Sequence, residues 1–299
     1  MAKRWIAALA LVSLGVLVGS RVDSVAEALG RVAATNETVA VPLPLRLEVF
    51  GEPVPVREAD IAEFLSRELH ANTYWHSNTL LMLQRRPRWE ARVRTWLREE
   101  GVPEDFVYLM AAESAFQPTA FSSSGAAGLW QFMPATAKEH GLRVDPQIDE
   151  RYHAEKATRT AAKYLKNAYA QTGSWFLAAA AYNMGLNGVI RQMERQGERS
   201  YFRMTWNDET GRYGFRIAAL KLILEHPEDY GYHVRAEELW REEPGRMVPV
   251  DSSIAHWGRW AQREGTHYRE LKRRNPWLRD AQWDNPDSAR IELELPEKR

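Results

Sequence analysis

Residues 103–134 decide the fold, and they read PEDFVYLMAAESAFQPTAFSSSGAAGLWQFMP. Phe106, Leu109 and Met110 lie seven, four and three residues before Glu113, which is the spacing of one helical face. The Glu113 carboxyl is therefore expected to project from the apolar side of a helix, near its end. Because burial disfavours a charged carboxylate, we expect a raised pKa, which suits a general acid. The plainer interpretation is a carboxyl at the core edge, hydrogen-bonded to a neighbouring backbone or hydroxyl group.

A turn of small residues follows this glutamate. Residues 122–128 read SSSGAAG, and their glycines permit close backbone approach. The serine hydroxyls and the Gln131 amide can donate hydrogen bonds to a polar ligand. Trp130, Phe132 and Met133 are expected to offer apolar faces to a sugar ring. Taken alone, the same composition is also that of an ordinary loop.

A third element is residues 178–185, which read AAAAYNMG. Four consecutive alanines permit very close packing of one helix against another. Tyr182 and Asn183 then place polar groups where Gly185 ends the helix. A simple helix C-cap is the general interpretation of such an ending.

Helical periodicity dominates the chain between residues 59 and 240. Helices are expected at 59–69, 79–100 with an interruption near Pro87, 103–114, 134–140, 154–171, 174–182, 186–196 and 213–225. After residue 244, two short strands at 247–249 and 291–295 enclose helices near 253–264 and 268–273. The sequence therefore predicts a mainly α fold: an α-helical catalytic domain with extra N-terminal helices and a small C-terminal β-α-α-β module.

The chain begins with a pattern typical of export. Lys3 and Arg4 precede residues 5–19, a 15-residue stretch without a charge that is shorter than a spanning helix requires. Residues 1–30 are interpreted as a signal peptide or a retained N-terminal anchor, which could associate with a membrane. Both interpretations place the remainder of the chain outside the cytoplasm. The expected divisions are a proline-containing extended segment with N-terminal helices at 31–99, a catalytic domain at 100–245 and the small module at 246–299.

Composition excludes several classes of protein. The 299 residues contain 40 basic and 40 acidic side chains and no cysteine. Zero net charge argues against general nucleic-acid binding, which needs a basic surface. The absence of cysteine excludes disulfides, thiolate-zinc sites and cysteine nucleophiles. The sequence also lacks an HExxH metal motif, a P-loop, a dinucleotide fingerprint and a G-x-S-x-G elbow.

Together, the motifs resemble the lytic transglycosylase (SLT) domain of bacterial peptidoglycan-cleaving enzymes, which has a goose-type lysozyme-like fold. The matching stretches are ESAFxP at 113–118, SxxGAxGLWQxMP at 122–134, AYNxG at 181–185 and ETxxY at 209–213. Within the family, the likeness is greatest to the membrane-bound type D murein transglycosylases. Those are typically lipoproteins, and the missing cysteine departs from that pattern. A second departure is Gly214-Phe215, where the family usually has Val-Pro.

The resemblance implies a lyase that cleaves the MurNAc-β-1,4-GlcNAc bond and leaves a 1,6-anhydro-MurNAc end. In the family, one glutamate protonates the glycosidic oxygen and then accepts the proton of the sugar's own C6 hydroxyl. The resemblance implies that Glu113 takes that role. The implied partner is the peptidoglycan glycan strand, with no metal, no cofactor and no nucleic acid; no protein partner is indicated. The implied substrate-binding residues are Ser122 and Gln131 for N-acetyl or peptide groups, Asn183 and Tyr213 for orienting the sugar, and Met133 and Tyr182 for lining the groove.

The final 50 residues resemble, more faintly, a LysM peptidoglycan-binding module. The matching features are Gly265-Thr266, Leu271 and Asn275-Pro276-x-Leu278. Two rival functions stay open. A second carboxylate across the groove from Glu113, such as Asp145 or Asp149, would favour a lysozyme that uses water. A non-catalytic peptidoglycan-binding protein would bind cell walls without turnover.

Overall fold

The computed structural model describes residues 39–286 and 288–297. The predicted export segment at 1–30 lies outside the described residues. From Val41 onward, the chain belongs to one compact unit. Across the described ranges, no helix is both long and apolar enough to span a bilayer.

The protein is mainly α-helical, as the periodicity predicted. Within residues 39–286 and 288–297 there are ten α-helices: α1 (Ala59–Tyr74), α2 (His76–Glu99), α3 (Phe106–Ser114), α4 (Pro134–Glu139), α5 (Ala154–Thr172), α6 (Trp175–Met184), α7 (Leu186–Gln196), α8 (Asp208–Glu225), α9 (Trp257–Arg263) and α10 (Tyr268–Arg274). Several ends have the expected chemistry. The Ser174 side chain accepts a hydrogen bond at the start of α6, Pro134 occupies the first turn of α4, and Gly173 ends α5 in the left-handed region.

The expected interruption near Pro87 is wrong, because α2 runs through it without a break. A proline inside a helix costs about 3 kcal/mol. Apolar residues on both sides of it are buried, including Met82 and Leu83 before the proline and Val93 and Leu97 after it. Packing of both halves against the same core offsets that cost.

Helix α8 begins five residues earlier than predicted, at Asp208. The Asn207 side chain accepts a hydrogen bond from the Thr210 amide at 2.8 Å and caps the helix. Asp208 and Glu209 then occupy the first turn, where acidic side chains favour the helix dipole. The apolar repeat that indicated the helix starts only at Tyr213, so periodicity alone missed the polar first turn.

Two small antiparallel sheets complete the structure. Strands β1 (Leu47–Val49) and β2 (Glu52–Val54) form a hairpin within the segment predicted to be extended. Strands β3 (Gly245–Val250) and β4 (Ile291–Pro296) pair with Val248 opposite Leu293. With α9 and α10 between them, β3 and β4 make the predicted β-α-α-β module.

Buried apolar side chains form two clusters. The larger one fills the space between the helices, and all four alanines of α6, 178–181, are buried in it. The smaller one contains Trp257 and Trp283 of the C-terminal module. This second cluster also includes Ala127, Ile148 and Tyr152, so it extends from the module into the helical part.

Candidate active site

Glu113 lies in the last turn of α3, at the end of an almost wholly buried helix. Residues 106–111 and Ser114 are buried, whereas Glu113 itself is partly buried. The chain then leaves the helix sharply, because Ala115 and Phe116 both have positive φ, at 50° and 57°. The carboxyl is therefore held at the edge of the core by a short, well-packed helix.

Tyr213 is the direct partner of this carboxyl. It lies on α8, 100 residues further along the chain, and its hydroxyl donates to Glu113 Oε1. The tyrosine side chain is only 2% exposed. Burial, with the Glu113 charge nearby, raises the pKa of Tyr213 well above 10. The hydroxyl is thus a neutral hydrogen-bond donor over the whole range in which Glu113 titrates.

Burial raises the pKa of Glu113 above that of an ordinary glutamate. The Tyr213 hydrogen bond and the positive charge of Arg216 oppose this change, since both favour the carboxylate. The carboxylate of Glu209, exposed on the first turn of α8, adds repulsion that raises the pKa. Desolvation is the largest of these effects, so Glu113 retains its proton to higher pH than a surface glutamate.

The turn after Glu113 is held by its own hydrogen bonds. Ser122 Oγ accepts from the Ala126 amide at 2.9 Å. Gln131, with φ of 49°, donates from Nε2 to the carbonyls of Ala120 at 3.2 Å and Gly128 at 2.8 Å. Both predicted binding residues therefore shape the turn, which leaves the Ser122 hydroxyl hydrogen and Gln131 Oε1 for other partners.

Two of the three apolar side chains expected to face a sugar ring do not do so. Trp130 is fully buried, and Phe132 is only 4% exposed. Trp130 donates from Nε1 to Thr158 Oγ1 at 2.9 Å inside the core. Met133, 42% exposed, is the one that reaches the surface. Sequence spacing could not separate them, because the turn has neither helical nor strand periodicity.

Tyr182 contacts this turn and lies within electrostatic reach of Glu113. Its hydroxyl donates to the Trp130 carbonyl at 2.7 Å, and its ring packs beside Phe132. The Glu113 charge lies near enough to contribute to the raised pKa of Tyr182, although burial is the main cause. Asn183, the next residue, accepts from Thr210 Oγ1 at 2.8 Å, which connects the end of α6 to the start of α8.

Several residues that sequence reasoning missed lie around this site. Arg216 is paired with the buried Glu68 of α1, at 3.5 Å, and Arg212 contacts the same carboxylate at 2.6 Å. Glu68 and Arg212 are 144 residues apart. A signal was present, since arginines at positions 212 and 216 lie one turn apart on α8. Their acidic partner could not be read from sequence.

Tyr201 explains the departure at Gly214. The Tyr201 hydroxyl accepts from the Gly214 amide at 3.1 Å and donates to the Thr210 carbonyl at 2.7 Å. In an uninterrupted α-helix the Gly214 amide would donate directly to the Thr210 carbonyl. Here the Tyr201 hydroxyl lies between these two groups and bonds to both. A Cβ at position 214 would lie 2.8 Å from the Tyr201 ring. Glycine at this position makes room for the ring beside Tyr213.

The two carboxylates considered as a second catalytic group are engaged elsewhere. Asp149 is 6% exposed and binds Arg151 through both oxygens, at 2.9 and 2.7 Å. Asp145 pairs with Arg143 and accepts from the amides of Gln147 and Ile148 at 2.8 and 2.9 Å. An arginine therefore balances the charge of each of these two carboxylates.

This fold and site define a helical domain in which the partly buried Glu113 accepts a hydrogen bond from a buried tyrosine, followed by a small β-α-α-β module. Residues 93–204 match the family described as the transglycosylase SLT domain. Residues 246–299 match the soluble lytic transglycosylase C-terminal LysM-like domain. The chain thus contains one segment similar to the SLT domain and a second segment similar to the LysM-like domain.

Among curated relatives, the chain is similar to the membrane-bound lytic murein transglycosylase D of Escherichia coli (strain K12), with 29% identity over 176 residues. That match covers 57% of this chain and 38% of the relative, so the chain spans well under half of that protein's length. Peptidoglycan transglycosylase gp16 of Escherichia phage T7 is 44% identical over 88 residues, which are 28% of this chain and 7% of gp16. Among solved structures, the 70 kDa soluble lytic transglycosylase of Escherichia coli matches with a TM-score of 0.37 and 23% identity, covering 47% of this chain and 25% of that one.

Proposed function

We propose that this protein is a peptidoglycan lytic transglycosylase in which Glu113 acts first as acid and then as base. One observation carries the proposal: a partly buried glutamate with a raised pKa accepts a hydrogen bond from a neutral tyrosine, within an SLT domain. The names of the relatives, one a murein and one a peptidoglycan transglycosylase, support the substrate class.

In the first step, protonated Glu113 donates its proton to the oxygen that links MurNAc to GlcNAc. Tyr213 donates to Oε1, so Oε2 is the oxygen available to carry the transferred proton. The bond between the anomeric carbon and the linking oxygen breaks, and the GlcNAc side leaves as an alcohol. A raised pKa supports this step because it keeps the acid protonated to higher pH than an ordinary glutamate.

In the second step, the C6 hydroxyl of the same MurNAc attacks the anomeric carbon. The carboxylate of Glu113 accepts the hydroxyl proton, which restores the acid and closes the 1,6-anhydro ring. The attack is intramolecular, so it needs no positioned water and no second carboxylate. The commitment of Asp145 and Asp149 to other partners is consistent with this route.

Substrate contacts are assigned to the groups that internal hydrogen bonds leave available. Gln131 uses Nε2 within the turn, so Oε1 is its group for a substrate amide. Asn183 accepts from Thr210 through Oδ1, which leaves Nδ2 to donate to the sugar. Ser122 would donate from its hydroxyl, while Met133 and the Tyr182 ring would line the groove. Tyr213 would act on the sugar through Glu113, since its ring is buried.

The C-terminal LysM-like module is proposed to hold glycan strands. A groove of about 700 Å³ on this module is lined by Ile254, His256 and Arg259, among others. A cationic and an apolar group side by side suit a sugar polymer that carries carboxylates on its peptides. This function places the protein in the periplasm or cell envelope, with residues 1–30 serving as export signal or anchor.

Mass spectrometry of purified peptidoglycan digested by the full-length chain tests the function. Glu113→Gln is the inactive comparison, because it preserves shape but cannot exchange the proton. Transglycosylation gives muropeptides lighter by one water than hydrolytic products, and these should be missing with the variant. Hydrated reducing ends would instead indicate a lysozyme. Binding to cell walls without any product from the wild type would support the non-catalytic alternative.

A further inference from the structure

Residues 143–153 lie within the segment that matches the SLT domain and bind the C-terminal module through backbone hydrogen bonds. Ile148 forms a β-bridge with Leu278. The Asp149 amide donates to the Trp277 carbonyl at 2.9 Å, and the Arg279 amide donates to the Gln147 carbonyl at 2.8 Å. The two parts are therefore joined by a short ladder of backbone hydrogen bonds.

Side chains close the same interface. Ile148 is 1% exposed and belongs to the apolar cluster of the module. The Arg279 guanidinium lies 4.5 Å from the centre of the Tyr152 ring, and the His153 ring packs 5.4 Å from that of Trp277. These ring contacts, together with the buried Ile148 and the backbone hydrogen bonds, hold the module against residues 143–153.

The same segment also holds the turn that follows Glu113, which extends over residues 120–132 because the Gly128 amide binds the Ala120 carbonyl and the Ala127 amide binds the Phe132 carbonyl. Arg151 is 5% exposed, and its Nη1 donates to the carbonyls of Gly125 at 2.7 Å and Phe132 at 3.0 Å. Its Nε and Nη2 bind both oxygens of Asp149. The Arg151 side chain thus connects Gly125 and Phe132 of the turn to Asp149, whose backbone amide binds the module.

Gly128 allows this arrangement. It has φ of 80°, and a Cβ at that position would lie only 1.9 Å from the Arg151 carbonyl oxygen. The backbone of residue 151 therefore presses directly on the turn.

We propose that Arg151 is a positioning residue, and that the docked C-terminal module, acting through Asp149 and Arg151, holds the substrate-binding turn in its working shape. The turn carries Ser122 and Gln131, so its role in binding rests on the function proposed above. The module is then part of the support of the active site, in addition to any glycan binding of its own.

Two variants of the full-length chain test this. Ile148→Asp places a charge at a buried position of the interface and is expected to release the module, which should appear as two thermal transitions in place of one. Arg151→Met removes the hydrogen bonds to the turn and keeps much of the side-chain volume. Arg143→Met is the matched control, since this arginine lies on the same segment but pairs only locally, with Asp145.

Hydrogen exchange of residues 120–132 is the first readout, because it does not depend on activity. The amides of Ala126, Ala127 and Gly128 are all hydrogen-bonded within the turn. We expect exchange there to rise about tenfold or more in both variants, with Arg143→Met like the wild type. The second readout is the split between kcat and KM on soluble glycan strands, where KM should rise about tenfold with a smaller change in kcat.

Release of the module with unchanged exchange at 120–132 would overturn the proposal. Faster exchange spread evenly over the whole chain in both variants would also count against it, since that marks general destabilisation. If the wild type has no activity, the function proposed above fails, but hydrogen exchange still decides whether the module supports the turn. If Arg151→Met does not fold, Arg151→Lys replaces it, and the shorter ammonium should reproduce a weaker form of the same local change.

Discussion

The hydrogen bond from Tyr213 to Glu113 is open to a direct test with Tyr213→Phe. The ring stays in its buried place, and only the hydroxyl that donates to Oε1 is lost. A hydrogen bond to a charged group contributes about 1.5–3 kcal/mol. The bond is strongest when Glu113 is a carboxylate, between the two proton transfers. We therefore expect kcat to fall about 10- to 150-fold.

The same substitution should change the pH profile in a defined direction. The hydroxyl favours the charged form of Glu113 and so lowers its pKa. Without it, Glu113 should keep its proton to higher pH. Because the first step needs the protonated acid, the alkaline limb of kcat/KM should move to higher pH. The assay is release of soluble muropeptides from purified peptidoglycan between pH 4 and 9.

Tyr108→Phe is the matched control. Tyr108 is also fully buried on α3, and its hydroxyl also donates to a carboxylate, that of Glu225 at 2.7 Å. It should lower stability without moving the pH profile. An alkaline limb that stays in place or moves to lower pH in Tyr213→Phe, with kcat near that of the wild type, would refute the role given to this hydrogen bond.

Glu68→Gln should move the same limb in the opposite direction. Glu68 is 1% exposed and neutralises part of the charge of Arg216, which itself lowers the pKa of Glu113. Removing the carboxylate strengthens that positive field, so Glu113 should lose its proton at lower pH. Breaking a buried pair also costs about 3–5 kcal/mol of stability. A limb at higher pH than in the wild type would contradict this electrostatic account.

Three further predictions concern stability. Folding raises the pKa of the Glu113 carboxyl, so the folded protein becomes less stable as pH rises and this group ionises. Glu113→Gln removes that ionisation and should therefore raise Tm at pH 8 but not at pH 4. An equal gain at both pH values would count against burial as the cause. Gly214→Ala should cost about 1–3 kcal/mol in urea unfolding because its Cβ meets the Tyr201 ring at 2.8 Å, whereas Gly211→Ala, with its nearest contact at 3.4 Å, should be tolerated. Burial lowers the pKa of His153 to about 4, so the free energy of unfolding should fall by up to about 3 kcal/mol as pH drops from about 6.5 to 4. His153→Gln should remove that pH dependence. An unchanged slope of stability against pH in the variant would exclude this histidine as its source.

Most of the helices could be predicted from the sequence because their signals are local. Apolar spacing, a serine cap at the start of α6 and glycine at the end of α5 all act within a few residues, so they are visible in sequence. Pro87 was misjudged because the opposing force, burial of both halves of α2, comes from other helices. Trp130 and Phe132 were misjudged for a similar reason: composition identifies aromatic side chains, but only packing decides which way they face.

By itself, the sequence determined the helical class of this protein, the β-α-α-β module and the identity of the glutamate on the apolar side of its helix. Those features depend on periodicity, capping and motif order, which are properties of neighbouring residues. The tertiary structure alone decided that Tyr213 donates to that glutamate from 100 residues away, that Glu68 faces Arg216, and that Arg151 joins the turn to the C-terminal module. Contacts of this kind form because packing brings distant segments together. The free energy that stabilises that packing comes from burial throughout the core, so it cannot be read from neighbouring residues.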